Sequence, residues 1–60
     1  MKKQTFYIRD FTVNTVSDVF NGELCDTQIF INDTFICTIA GCYIGDFVTD
    51  LRKLVENYNI

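Results

Sequence analysis

Sixty residues with a formal charge of −3, 48% hydrophobic and 22% charged, describe one small domain, residues 1–60, with no room for a second. A chain of this length buries about 60% of the surface it exposes when unfolded, and its core rarely supplies more than ~3–5 kcal/mol, which excludes a deep, self-sufficient catalytic pocket. No apolar run approaches the ~20 residues that span a bilayer, and no signal-type stretch follows Met1-Lys2-Lys3-Gln4-Thr5. The expectation is a cytoplasmic protein without a membrane partner.

The first element in chain order is a strand at Thr5-Phe6-Tyr7-Ile8-Arg9. Next come Val16-Ser17-Asp18-Val19-Phe20 and Glu23-Leu24-Cys25, joined by Asn21-Gly22, the strongest short hairpin signal in the chain. Val13, Val16 and Phe20 also fit a helical stripe that Asn21-Gly22 could stop. The β-branched Thr12, Val13, Thr15, Val16 and Val19 favour strand instead. A second hairpin follows: Gln28-Ile29-Phe30-Ile31 and Thr34–Ala40, rich in β-branched and aromatic residues, flank Asn32-Asp33, two residues that tolerate the positive φ of a type I′ turn. At the C-terminal end Phe47, Val48, Leu51, Leu54, Val55 and Tyr58 recur at helical spacing. Asp46 is placed to cap that helix, and Asp50 suits its positive end. Asp50 with Lys53 and Arg52 with Glu56 form i,i+3 and i,i+4 pairs worth ~0.2–0.5 kcal/mol each. The fold class is therefore α+β: a three- to four-stranded antiparallel β-meander, its strands within about residues 4–40, followed by one C-terminal amphipathic α-helix at about 46–58.

Register decides which side chains share a face. With Asn32-Asp33 as a two-residue loop, Phe30 faces Phe35 and Ile29 faces Ile36. Phe30, Phe35, Cys37 and Ile39 then point one way, and Ile29, Ile31, Ile36 and Ala40 the other. Both faces come out apolar, one helix covers only one of them, and Phe30, Phe35 and Ile39 become a second core or a homodimer contact. A three-residue loop, Asn32-Asp33-Thr34, would gather Ile29, Ile31, Phe35, Cys37 and Ile39 on one face and satisfy a monomer. It would also force a β-branched Thr toward left-handed geometry, so it ranks second.

Catalytic constellations are missing. There is no histidine to activate a Cys nucleophile, the one serine, Ser17, has no hydrolase context, and Gly22, Gly41 and Gly45 make no phosphate loop. Cys25, Cys37 and Cys42 are odd in number without a C-x-x-C, so they read as three free, buried thiols, or as one cysteine bridging a dimer, and as neither disulfide framework nor zinc site. No enzyme activity, cofactor or metal is expected.

Charge is unevenly placed. From Asp10 to Leu51 there are seven acids, Asp10, Asp18, Glu23, Asp26, Asp33, Asp46 and Asp50, and no Lys or Arg. Such a stretch repels nucleic acid and steers toward a basic protein. The function expected is a small non-enzymatic protein-interaction module, homodimeric, that binds a basic partner through an acidic face, Asp18, Glu23, Asp26 and Asp33, or through an exposed sheet edge. The alternative is an inhibitor that mimics nucleic-acid charge to block a basic nucleic-acid-binding protein. Anti-restriction and anti-CRISPR inhibitors of phages and mobile elements resemble the chain in size and charge alone.

Overall fold

The structure, a computed structural model, describes residues 1–58. Four antiparallel strands, β1 (Lys2–Ile8), β2 (Phe11–Phe20), β3 (Glu23–Ile31) and β4 (Thr34–Cys42), form one sheet in the order β1-β2-β3-β4, and helix α1 (Phe47–Tyr58) follows. Residues 11–20 are strand throughout, so β-branching prevails over the helical stripe in that segment. Each connection between strands is a two-residue turn. Asn21 and Gly22 lie at φ 52° and 78°, and Asn32 and Asp33 at φ 49° and 67°. Positive φ at both central residues matches the right-handed strand twist, which is why Asn, Asp and Gly occupy these positions. Asn32 adds a tie of its own: its N–H donates to the Thr12 carbonyl at 2.9 Å, and its Oδ1 accepts the Thr12 N–H at 3.1 Å.

Three bulges set the faces. The Asn32-Asp33 loop aligns Phe30 with Phe35 as expected, but Ile36 has no partner on β3, and Ile29 pairs with Cys37 instead of Ile36. One extra residue on β4 reverses the side-chain parity beyond it. Cys37 and Ile39 thereby join Ile29 and Ile31 on the face that meets the helix, where Ile36, Cys37 and Ile39 pack at the margin of the core. The grouping of Ile39 with Phe30 and Phe35 is corrected accordingly. At the other end of the strands Asp26 (φ 49°) and Thr27 together oppose Ser17 of β2, while Ala40 and Gly41 (φ 81°) oppose Asp26 across β4. The Gly41 N–H donates to Asp26 Oδ1 at 2.8 Å, which satisfies a backbone donor that the irregular ladder would leave free.

This register also overturns the reading of three free thiols. Cys25 and Cys42 are directly opposite in the β3–β4 pairing and form a disulfide, while Cys37 stays free. With two of its three cysteines bridged, the chain gives no support to a reducing compartment. Among the described residues no helix is long and apolar enough to cross a membrane.

Helix α1 closes one side of the sheet. Leu51 and Val55 are buried with Ile8, Val13, Ile29 and Ile31. Asp46 caps the helix: its Oδ1 accepts the Thr49 N–H at 3.2 Å, its Oδ2 accepts the Thr49 hydroxyl at 2.8 Å, and its carbonyl receives the Asp50 N–H at 3.0 Å. The two bonds from Thr49 hold the Asp46 carboxyl below its ordinary value. Ring contacts fix where the helix lies. Phe47 meets Phe6 of β1 edge-on at 6.1 Å between centroids, and Tyr58 meets Phe11 at 6.3 Å. Glu56 reaches Arg9 at 3.9 Å, the one ion pair among the described residues, in place of the Arg52–Glu56 and Asp50–Lys53 pairs that spacing suggests. The helix thus sits on the β1–β2 side. Since β4 is the opposite edge, residues 43–46 must cross the sheet, a distance of roughly 14 Å for three strand spacings. Tyr43 anchors that crossing by stacking edge-on against Phe47 at 5.3 Å and donating its hydroxyl to Asp50 Oδ2.

The outer face is more polar than the two-residue register implies. Thr5, Asn14, Gln28 and Thr38 line it, with Thr5 donating to Asn14 Oδ1 at 2.7 Å. Phe30 and Phe35 form an edge-to-face pair there at 5.6 Å, with Phe35 54% exposed. Tyr7 and Val16 share this face by register, so it is mixed, with apolar side chains set among polar ones.

Candidate interaction surface

The free surface of greatest interest is the end of the β2–β3 hairpin. Strand β1 pairs with β2 only as far as Lys2 opposite Ser17, and β4 pairs with β3 only as far as Cys42 opposite Cys25, with one further bond from the Tyr43 N–H to the Leu24 carbonyl at 2.7 Å. Residues 18–23 consequently extend past the neighbour on each side. They are held by their own pairing, Asp18 with Cys25, Val19 with Leu24 and Phe20 with Glu23, and by the Asn21-Gly22 turn. Val19 is 52% exposed and Phe20 65% exposed. Asp18 and Glu23 beside them are exposed too, as is Asp26 at the bulge behind. The result is a finger with an exposed apolar side chain on each face, Val19 on one and Phe20 on the other, with Asp18 and Glu23 on the Phe20 face.

The four acids expected to form one face are divided. Asp18, Glu23 and Asp26 belong to this hairpin end, whereas Asp33 lies in the β3–β4 turn at the opposite end of the strands, seven residues and roughly 23 Å from Asp26 along β3. Asp26 is in part structural, since one of its oxygens holds Gly41. The cations are also redistributed. Pairing of β1 with β2 lays Lys2 and Lys3 beside Ser17 and Val16, so positive charge from the chain start borders the acidic end, and the three strands β2–β4 with their turns keep acids alone. Val19 and Phe20 were absent from the expected contact set. No sequence signal marks them: their projection follows from register, because β2 continues for three residues past Ser17, where its pairing with β1 ends.

The interior behind the finger is polar. Thr15, Ser17 and Thr27 are each about 1% exposed; the Ser17 and Thr27 hydroxyls bond at 2.8 Å, while Thr15 Oγ1 and the neighbouring Gln4 Oε1 have no partner. Among the described residues no cavity opens and no three His, Cys, Asp or Glu side chains converge as metal ligands. Comparison of the chain with protein-family models, with curated proteins and with solved structures finds no match.

Proposed function

We propose that the chain is a non-enzymatic protein-interaction module whose recognition element is the β2–β3 hairpin end, presented to a protein with an apolar recess bordered by basic residues. The observation that carries this reading is the exposure of Val19 and Phe20 on a projecting hairpin flanked by Asp18 and Glu23. Aromatic tips that fill a recess dominate binding energy, and charges at the rim steer the encounter. Exposed carboxylates make the association weaken as salt rises. The charge-mimic reading has less support, because Asp33 is separated from the other three acids and Lys2 and Lys3 border them.

The test is quantitative affinity capture from the cells that make the protein, comparing wild type with Val19→Ser/Phe20→Ser and with Asp33→Asn. The tip variant should lose the captured partner while its thermal midpoint stays within a few degrees of wild type, and Asp33→Asn should keep it. Equal recovery of the same partner by the tip variant, or its loss in Asp33→Asn alone, would reject the hairpin as the recognition element.

A further inference from the structure

The two edges of the sheet differ. Edge strand β1 carries Lys2 and Lys3, side chains that guard an edge against pairing, whereas β4 carries no charge and no proline in nine residues, Thr34–Cys42. Bulges at Ile36 and at Ala40-Gly41 bound a regular stretch between them, Cys37-Thr38-Ile39. The helix buries Leu51 and Val55 among Ile8, Val13, Ile29 and Ile31, on β1 to β3, and leaves Ile36, Cys37 and Ile39 only half covered on the core side of β4. A charge-free backbone edge, regular over Cys37-Ile39 between its two bulges, and an incompletely covered apolar row therefore coincide.

We infer that β4 pairs antiparallel with β4 of a second copy, centred on Cys37–Ile39, to make a continuous eight-stranded sheet across a twofold axis. A twofold contact must be compatible with itself, and this strand is: self-pairing brings no like charges into register, since Asp33 and Asp46 lie beyond its ends and the partner-facing stretch is neutral. It also sets Cys37 and Ile39 of one copy beside those of the other and completes their burial. Size agrees with a weak association. The regular stretch that would pair is Cys37-Thr38-Ile39, roughly 10 Å of strand, which places the contact below the standard size of specific interfaces. The inference rests on the reading of the chain as an interaction module but uses a different surface from the hairpin tip, so each can fail alone.

Sedimentation equilibrium over micromolar to millimolar concentration tests it. The mass should climb from 7.0 kDa toward twice that value. Thr38→Lys, an exposed outer-face substitution that sets two ammonium groups face to face at the axis, should weaken the dimer at least about tenfold while leaving hairpin-dependent capture intact. As a second measure, a spin label on Thr38→Cys in a Cys37→Ser background should show dipolar broadening between copies. A monomer at every concentration, an unweakened dimer in Thr38→Lys, or a dimer without broadening overturns the assignment.

Discussion

Neighbouring threonines on one face have opposite energetic signs. Thr15 is buried with no partner for its hydroxyl, whereas Thr27 shares a hydrogen bond with Ser17. An unsatisfied buried hydroxyl costs about 1–3 kcal/mol, and replacing it with an isosteric apolar group removes that cost. Thr15→Val should therefore stabilise the fold by about 1 kcal/mol, or ~4–8 °C in thermal midpoint for a domain of this size. Thr27→Val should destabilise it by a similar amount, because Ser17 is then left unpaired. Thermal melts of both variants check the pair. Tyr43 is the other residue with a distinct signature. Its hydrogen bond to the Asp50 carboxylate, helped by desolvation and the nearby charges of Asp50 and Asp46, pushes its phenol up to about 12 from 10.0. The native state holds this proton more tightly than the unfolded chain, so the contribution is complete below pH 10 and is lost as pH climbs toward 12. Stability of wild type should fall across that interval, and the fall should be smaller in Tyr43→Phe when denaturant midpoints are compared at each pH.

At the level of elements, helix and hairpins were legible because their signals are local. The stripe Phe47–Tyr58, the Asp46 cap and the two turns with Asn, Gly and Asp at positive φ all appear where spacing and turn chemistry place them. The faces of β4 were not legible, since one extra residue at Ile36 swaps every side chain beyond it and no residue type announces that bulge. The same register puts Cys25 against Cys42, a pairing that three cysteines without a recognisable spacing could not reveal. A bridge between residues 17 apart restricts the unfolded chain by about 3 kcal/mol. Cys25→Ser/Cys42→Ser should lower the thermal midpoint by ten degrees or more on the order of that estimate, and a thiol assay on unfolded, unreduced protein should count one free group, Cys37.

Over the whole molecule, one small core holds helix and sheet together. Leu51 and Val55 are the helix residues fully inside it. Leu51→Ala should cost ~2–5 kcal/mol, comparable to the entire stability of a 60-residue domain, and leave the chain largely unfolded at 37 °C by circular dichroism. Acidic charge was readable as a stretch of sequence, yet its arrangement in space was not. Pairing of β1 with β2 returns Lys2 and Lys3 to the acidic end, and the long β2–β3 hairpin separates Asp33 from Asp18, Glu23 and Asp26.

Sequence by itself determined the class of the protein: a meander of three to four antiparallel strands then a helix, the turns at Asn21-Gly22 and Asn32-Asp33 and the cap at Asp46, because each follows from periodicity or from backbone preferences spanning a few residues. Tertiary structure alone decided that Cys25 meets Cys42, that Ile39 belongs to the core side, and that Val19 and Phe20 project beyond their neighbours. Those outcomes depend on strand register and on where one strand stops relative to the next, quantities summed over the whole sheet and shifted by a single bulged residue.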